Sequence, residues 1–246
     1  MSDFANAGDR LLRRIESTFP LTPEEQRAVR ALPMAARVFD AHQDIVREGD
    51  RPVHCCLVLT GMACRYKSLD QGARQILSLH VAGDIPDLQS LHLKVMDHSL
   101  AAVSPVTAGL VTHEHVHGLI ERHPRLGAAL WRLTLIDSSI FRQWIIGLGQ
   151  KDALWRMAHL FCELFARMQA VGLTDARSCP LPITQGDLGD ALGLSAVHTN
   201  RVLQELRGRN LIALDRRRLT ILDWDGLRAA AEFDPLYLHQ DRGGDA

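Results

Sequence analysis

Arginine is the residue type whose spacing in this chain points most directly to chemistry. Only three of the 28 basic residues are lysines, and the segment from Ser195 to Arg218 holds six arginines against two acidic residues, in a chain whose net charge is -1. A guanidinium group can make paired hydrogen bonds to phosphate, carboxylate or guanine. This local excess of positive charge predicts contact with an anion such as DNA, although a GC-rich genome would also raise the arginine content.

The elements that would position these arginines are two short helices joined by a tight turn. Thr184 is placed to cap the first helix and Ser195 to cap the second, and Gly193 suits the left-handed backbone of the turn between them. Apolar residues at helical spacing face inward in both helices, namely Leu188, Ala191, Leu192, Val202, Leu203 and Leu206. This pattern is typical of a helix-turn-helix, whose second helix enters the major groove of DNA.

Polar side chains outside this apolar face could reach base edges or phosphates. They are Thr184, Gln185 and Ser195 at the helix starts and His198, Asn200, Arg201 and Gln204 on the second helix. Residues 211–214 and 218–222 predict two further strands, and Arg216, Arg217 and Arg218 would lie at the tip of that hairpin. A domain that contacts only protein has no reason to carry three arginines there, so we predict DNA binding by a winged helix.

The N-terminal half of the sequence predicts different secondary structure. Residues 1 to about 35 favour short helices, one of them capped by Thr22 with Pro23 and Glu25 in its first turn. From Val38 to Val111, short apolar segments alternate with turns about every 8 to 12 residues, which is typical of an all-β barrel or sandwich.

A long helix is expected after this β region. Apolar residues fall at helical spacing from Pro124 to Gly147, a length of about 35 Å, with Asp137 and Ser138 interrupting the apolar stripe. Such a helix is too long to bury itself on a small barrel, so we expect it to pack against its copy in a dimer; burial on its own barrel is the alternative. Residues 151–171 predict another amphipathic helix, and 172–182, with two prolines, predict a linker.

The whole arrangement resembles the Crp/Fnr superfamily of bacterial transcription regulators. The matching segments are Ile183-Thr184-Gln185, Gly193-Leu194-Ser195, Arg201-Val202-Leu203 and Asn210-Leu211-Ile212, with Gly49, Gly61 and Gly83 where the family places turn glycines. The resemblance implies an α+β fold with an N-terminal β-roll or jelly-roll sensor domain and its leading helices (1–123). A dimerisation helix (124–150) and a C-terminal winged helix-turn-helix domain (151–240, with its leading helix 151–171) would follow.

The resemblance also implies a homodimeric, sequence-specific transcription regulator that binds an inverted repeat of double-stranded DNA. By the family pattern Ala196, Val197 and Arg201 read the bases; only Arg201 keeps the usual identity, so the operator is expected to differ from that of Crp. Contact with RNA polymerase is left open. The alternative is a nucleotide-sensing regulatory module that acts through protein contacts.

The effector site is expected to depart from the members that bind cyclic nucleotides. Those members hold the cyclic phosphate with a Gly-Glu pair and an Arg-Ser pair, and the candidate pocket here consists of Gly83, Asp84, Asp87, Leu88, His98 and Ser99. Asp87 would repel a phosphate, Pro86 removes an amide donor, and no arginine lies between Arg74 and Arg122. We therefore expect that the protein does not bind cyclic AMP. We also expect no iron–sulfur cluster, because the chain lacks the N-terminal cluster of cysteines that the oxygen-sensing members carry.

Other residue groups have a functional and a structural interpretation. His113, His115 and His117 suggest a metal site if they lie on a strand, or a solvated helix start if Thr112 is a cap. Asp97 and His98 suggest a proton-sensitive pair or a structural hydrogen bond. Cys55 and Cys56 would point to opposite faces of a strand, as core residues or as a redox-sensing thiol. Trp131 and Trp144 would serve packing rather than a ligand. In each case the structural interpretation is preferred, and no metal site is expected.

Composition limits the class of protein further. No apolar run approaches the roughly 20 residues of a membrane-spanning helix, and Met1 to Phe4 do not begin a secretory signal. Five cysteines, an odd number, argue against a disulfide framework and fit a reducing cytoplasm. No nucleophile–base pair or phosphate-binding loop stands out. We expect a cytoplasmic protein that is not an enzyme and contacts no membrane.

Overall fold

The computed structural model describes residues 7–240, and the predictions for residues 1–6 lie outside this range. The chain begins with two helices, α1 (Ala7–Glu16) and α2 (Pro23–Arg30). At the start of α2 the Thr22 hydroxyl accepts from the Glu25 amide at 3.3 Å, and the Glu25 carboxylate accepts from the Thr22 amide at 2.8 Å. The predicted cap is therefore confirmed.

Seven strands form the next unit. They are β1 (Ala35–Phe39), β2 (Asp44–Val46), β3 (His54–Thr60), β4 (Ala63–Ser68), β5 (Arg74–His80), β6 (Ser99–Ala102) and β7 (Val106–Thr112). They pair antiparallel in two sheets, with orders β1-β7-β3 and β2-β6-β4-β5. Gly61 makes the β3–β4 turn at a φ of +81°, and a Cβ there would lie 2.2 Å from the Pro105 carbonyl oxygen, so this turn requires glycine. The predicted β-roll is confirmed.

The two faces of the first sheet bury different residues. Cys56 packs inside the roll with Phe39 and Val58, whereas Cys55 packs on the opposite face against α1, beside Leu57. Alternate residues of a strand point to opposite sides, which explains why two adjacent cysteines lie in separate parts of the core.

Two helices follow the roll, α3 (His113–Arg122) and α4 (Pro124–Gln150). The Thr112 hydroxyl accepts from the His115 amide at 3.1 Å, which is the predicted cap. The long helix α4 has 27 residues and continues without a break through the polar pair at its centre. The Ser138 hydroxyl donates to the Thr134 carbonyl at 3.0 Å, so this polar group is satisfied within the helix.

The C-terminal part is a winged helix-turn-helix. Its elements are α5 (Ala153–Ala170), β8 (Ser178–Pro180), α6 (Gln185–Leu192), α7 (Ala196–Gly208), β9 (Ile212–Asp215), β10 (Arg218–Ile221) and α8 (Trp224–Ala230). The fold class is thus mixed, with an N-terminal β domain, a long helix and a C-terminal helix-turn-helix.

The prediction of a linker over residues 172–182 is wrong in part. Residues Ser178–Pro180 form β8, which pairs with β10 in a three-stranded sheet of order β8-β10-β9. Cys179 is fully buried there. A proline is tolerated on an edge strand, and the pairing with β10 depends on residues about 40 positions away, so local composition alone suggested a linker.

The sensor and DNA-binding parts share one hydrophobic core. A single cluster joins Met62 and Leu79 of the roll to Phe161 of α5 and Leu188 and Leu203 of the helix-turn-helix. Helix α5 lies between these parts and is buried on nearly all sides rather than along one face as predicted. A large apolar interface of this kind limits the relative motion of two domains. No helix among residues 7–240 has the length and apolar character needed to cross a bilayer.

Candidate DNA interface and effector cavity

The helix-turn-helix is built from local capping and one close approach. The Thr184 hydroxyl accepts from the Asp187 amide at 3.1 Å, Gly193 ends α6 at a φ of +64°, and the Ser195 hydroxyl accepts from the His198 amide at 3.3 Å. A Cβ at Gly189 would lie 2.7 Å from the Leu194 carbonyl oxygen, so α6 packs directly against the turn. The geometry fixes α7 relative to α6.

The residues predicted to read bases lie on one exposed side of α7. Ala196, Asn200, Arg201 and Gln204 are exposed, and Val197 is 82% exposed, which is unusual for a valine. Their spacing of four and five residues places them along one side of the helix. His198 is half-buried, and the Asn200 amide lies 3.4 Å from the Gln185 side chain on α6.

The wing carries its charge on a strained turn. Arg216 and Arg217 join β9 to β10 with φ values of +45° and +63°, where hairpins of this type usually have asparagine and glycine. A left-handed arginine costs about 1 kcal/mol or more. Both side chains are exposed and make no buried contact, although the Arg217 carbonyl oxygen accepts from the Leu181 amide at 2.7 Å. With Arg218, also exposed, they form a basic tip suited to phosphate.

A cavity of about 330 Å³ lies between the roll and α4. Three of the predicted effector residues line it, Asp84, Leu88 and His98, together with apolar side chains of the roll and α4. Three arginines also line it, Arg14 of α1, Arg65 of β4 and Arg167 of α5. No local pattern in the sequence points to these arginines, because they come from distant elements.

Each of these arginines has a carboxylate partner. Arg14 and Arg167 both lie 2.8 Å from Asp84, and Arg167 lies 3.1 Å from Glu163. Burial raises the pKa of the Asp84 carboxyl, but the two arginines outweigh burial and hold that pKa well below its usual range. Glu163 also accepts from Tyr237 at 3.0 Å and from Trp144 at 3.2 Å, so the network reaches the C-terminal part of the chain.

Arg65 crosses the cavity from the roll to α4. Its Nη1 is ion-paired with Asp137 of α4, and its Nε donates to the Pro86 carbonyl oxygen at 2.6 Å. The guanidinium also lies 5.6 Å from the ring centre of Phe141 on α4. This bridge attaches the roll to the long helix.

Gly83, Asp87 and Ser99, which are also predicted to form the effector pocket, do not line this cavity. Asp87 points away from it: its Oδ1 accepts from the Cys56 amide at 2.7 Å, and it lines a separate cavity of about 300 Å³ at another part of the roll. Burial raises the Asp87 pKa to about 6. Ser99 accepts from the Glu48 amide, and Gly83 makes a turn at a φ of +102°. The sequence could not show these orientations because tertiary contacts set them.

The histidine groups have structural partners. His113 shares a hydrogen bond of 2.9 Å with Ser90, and His115 and His117 are exposed on α3. His98 is bonded to Asp97 at 2.7 Å, and burial lowers the His98 pKa. Within the described residues, no three histidine, cysteine or acidic side chains lie close enough to share a metal ion.

Helix α4 leaves an apolar stripe uncovered. Trp131 and Ile145 are each 68% exposed, and Leu135, Ile146 and Leu148 are also exposed. Trp144, by contrast, packs against the shared core. We call the exposed set, Trp131, Leu135, Ile145, Ile146 and Leu148, the α4 stripe. It contradicts burial of the whole helix on its own barrel.

Comparison with known families agrees with this geometry. A family model described as a Crp-like helix-turn-helix domain matches residues 156–230, and one described as a cyclic nucleotide-binding domain matches residues 36–123. The chain belongs to the Crp/Fnr superfamily. The protein is accordingly a DNA-binding transcription regulator.

Curated relatives cover most of the chain at low identity. FnrL, a transcriptional activator of Cereibacter sphaeroides, is 24% identical over 189 residues, which are 76% of this chain and 75% of FnrL. FixK, a nitrogen fixation regulation protein of Rhizobium meliloti, is 27% identical over 200 residues, which are 80% of this chain and 87% of FixK. The activator Anr of Pseudomonas aeruginosa is 24% identical over 203 residues, which are 82% of this chain and 83% of Anr.

Solved structures show the same fold. FixK2 from Bradyrhizobium japonicum superposes with a TM-score of 0.73 at 23% identity and covers 81% of this chain and 98% of its own. The c-di-GMP-responsive regulator CLP of Xanthomonas campestris superposes with a TM-score of 0.62 at 15% identity, covering 82% of this chain and all of its own.

Crp/Fnr proteins can hold a cyclic nucleotide or an iron–sulfur cluster, and each can be compared with the side chains present here. A cyclic phosphate needs an unpaired cation or free amides, whereas the three cavity arginines are bonded to carboxylates of the protein. An iron–sulfur cluster needs several thiolates together. The five cysteines are spread over β3, β4, α5 and β8, all are buried, and burial raises the pKa of Cys55 to about 12. Within residues 7–240, the cavity arginines thus already have carboxylate partners and the thiols are dispersed.

Proposed function

We propose that this regulator is a homodimer that binds an inverted repeat of DNA in the bacterial cytoplasm and does not require cyclic AMP. The observation that carries the proposal is the Arg65–Asp137 bridge across the effector cavity. It joins the roll to the long helix, the two elements between which an effector would bind.

The charges around the cavity support independence from a cyclic nucleotide. A bound phosphate would have to displace Asp84 or Asp137 from an arginine or remain without a cation of its own. A charged hydrogen bond contributes roughly 1.5 to 3 kcal/mol, so two missing bonds would weaken binding by about a hundredfold or more. The exposed reading side of α7 and the shared core further suggest a domain already oriented for DNA.

The α4 stripe supports the homodimer. Five large apolar side chains lie exposed along a helix of 27 residues, and a second copy related by a two-fold axis would present the same surface. Such a dimer places two recognition helices on one side, and their half-sites would lie about 34 Å apart along the DNA.

The partners we propose are DNA, a second copy and RNA polymerase. FnrL and Anr are named as activators, which supports contact with the polymerase. We propose no catalytic role, no metal and no cofactor. The other candidate, a module that acts only through protein contacts, would leave the strained, exposed Arg216 and Arg217 without a use.

The proposal is tested by three measurements on the purified protein. Selection from random DNA without added nucleotide should enrich an inverted repeat, and sedimentation should give a dimer. Calorimetric titration with cyclic AMP and cyclic GMP should show no binding at micromolar concentration. Micromolar binding of either nucleotide, with a matching gain in DNA affinity, contradicts the ligand independence, and a monomer in sedimentation contradicts the dimer.

A further inference from the structure

A charged contact between β5 and α6 lies outside both the effector cavity and the reading surface. Arg74, the first residue of β5, is ion-paired with two carboxylates of α6: its Nε lies 2.6 Å from Asp190 Oδ2, and its Nη2 pairs with Asp187 Oδ1. Asp187 is fully buried, and Arg74 and Asp190 are half-buried. A sensor strand therefore binds the first helix of the helix-turn-helix directly.

Gln75 extends this contact to the other end of α6. Its Nε2 donates to the Asp190 carbonyl oxygen at 2.8 Å and to the Ala191 carbonyl oxygen at 3.3 Å. Carbonyls in the last turn of a helix have no partner within the helix, so this amide satisfies groups that need a donor. We call the bonds of Arg74 and Gln75 to α6 the β5–α6 contact.

The β5–α6 contact does not cover the DNA-reading surface. Val197, Asn200 and Arg201 are exposed while the contact is formed. Because α6 packs closely on the turn before α7 at Gly189, the position of α6 sets the position of α7. The β5–α6 contact therefore influences the position of the recognition helix α7.

Apart from the bonds of Arg167 on α5 to Asp84 and to the Leu79 carbonyl oxygen, the rest of the interface between the sensor and DNA-binding parts is mainly apolar. Apolar burial is non-directional, whereas charged hydrogen bonds require a defined geometry and fix the register of two surfaces. Arg74 meets one carboxylate near the start of α6 and another a turn further along it, which fixes the direction of the helix axis as well as its distance.

We propose that Arg74 and Gln75 are positioning residues for DNA recognition. They hold α6 on the edge strand β5 and thereby set the spacing between the two recognition helices of a dimer. This inference rests on the proposed homodimer on an inverted repeat.

The test compares operators that differ only in spacing. Wild-type protein and Arg74→Ala are titrated with the selected inverted repeat and with versions that have one base pair added or removed between the half-sites. The wild type should lose about tenfold or more in affinity on either change, because two fixed helices cannot follow the shifted groove. Arg74→Ala should bind the original site about tenfold more weakly than the wild type does. Its own affinity should fall by less than about threefold when the spacing is changed.

Two further variants keep this test decisive. Gln75→Ala leaves both ion pairs of Arg74 intact and should also weaken the spacing preference, by a smaller factor than Arg74→Ala. This variant provides the test if Arg74→Ala does not fold. Arg30→Ala is the matched control, because it removes a surface ion pair with Asp9, 2.7 Å long, on the N-terminal helices. Its spacing preference should equal that of the wild type.

The outcomes separate this inference from the proposed function. If the wild type shows no spacing preference, the proposed dimer on an inverted repeat is wrong. The positioning role is then tested by hydrogen–deuterium exchange of the α6 amides. If α6 exchanges at the same rate in Arg74→Ala as in the wild type, the β5–α6 contact does not hold α6 and the positioning role is wrong. If the wild type shows the preference and Arg74→Ala and Gln75→Ala retain it in full, the positioning role is wrong. Tighter DNA binding by Arg74→Ala would also overturn it, because the contact would then be inhibitory.

Discussion

The effector cavity and the DNA-reading surface use arginine in opposite ways. In the cavity, Arg14, Arg65 and Arg167 are each bonded to a carboxylate of another element. On the reading surface, Arg201 and Arg217 have no ion-pair partner within residues 7–240 and are exposed. The first set holds the protein together, and the second set remains available to an external anion.

This difference shows that the partners of an arginine matter more than its presence in a pocket. A buried guanidinium that already has a carboxylate gains little from a phosphate, because the new bond replaces an equivalent one and leaves a buried charge behind. An exposed guanidinium loses only water when it meets DNA, and the release of counterions favours the contact. Four experiments can break or sharpen this comparison.

The largest expected effect is on the buried network. Arg167→Ala removes a side chain that donates to Asp84, Glu163 and the Leu79 carbonyl oxygen. Breaking a buried pair by removing one partner should lower the free energy of unfolding by about 3 to 5 kcal/mol, as measured by urea denaturation. Arg27→Ala, an exposed arginine of α2, is the control and should change it by less than about 0.5 kcal/mol.

The same network has a defined pH dependence. The Asp84 pKa is held below its unfolded value, so its contribution to stability is complete above about pH 4 and is lost as the pH falls further. The acid-induced loss should be smaller in Arg167→Ala. Equal stability of this variant and the wild type at pH 7 would show that the network contributes nothing to the fold.

The next effect concerns a single reading residue. Arg201→Ala should cost on the order of 1 to 3 kcal/mol at one base pair in each half-site and abolish discrimination there, because its guanidinium is free to bind a base edge. Binding assays on the selected site and on random DNA measure this. An equal loss on both would place Arg201 on a phosphate instead.

The winged helix could be predicted from sequence because its signals are local. Thr184, Gly193 and Ser195 each act within four residues of their position, and the apolar spacing of α6 and α7 repeats within one turn. The same holds for the caps at Thr22 and Thr112. Caps and tight turns depend on few neighbours, so a single sequence is sufficient.

The effector cavity could not be predicted in this way. Arg14, Arg65 and Arg167 are far apart in the chain and meet only because α1, β4 and α5 pack together. The direction of Asp87 depends on the Cys56 amide, and β8 exists because β10 accepts it as an edge strand. Each of these features is a tertiary pairing with no local sequence signature.

A buried histidine between the two regions gives the next effect. His159 lies stacked between Trp155 and Tyr237, with ring centres 4.4 and 5.7 Å away, and burial lowers its pKa to about 4. The unfolded chain binds a proton here at a higher pH than the folded one, so stability falls as the pH drops from about 6.5 towards 4. At pH 5 this amounts to about 2 kcal/mol relative to pH 7.

The variant His159→Gln tests that assignment, since glutamine does not titrate. Urea denaturation measures the free energy of unfolding at pH 7 and at pH 5. The decrease from pH 7 to pH 5 should be about 2 kcal/mol smaller in the variant than in the wild type. Equal losses would mean that the ring accepts a proton in the folded protein, and hence that a carboxylate or water reaches it.

The smallest expected effect is at the wing. Arg217→Gln removes one positive charge from an exposed turn and should weaken binding to all DNA sequences alike, because phosphates carry no sequence information. The slope of log affinity against log salt should fall by about one unit for each wing that contacts a phosphate. Arg217→Lys keeps the charge in the same left-handed position and should retain the slope. Since glutamine and lysine share the strain of a φ of +63°, the difference between them isolates the charge. An unchanged slope in Arg217→Gln would remove the wing from the DNA interface, and the comparison between paired and unpaired arginines would then depend on Arg201 alone.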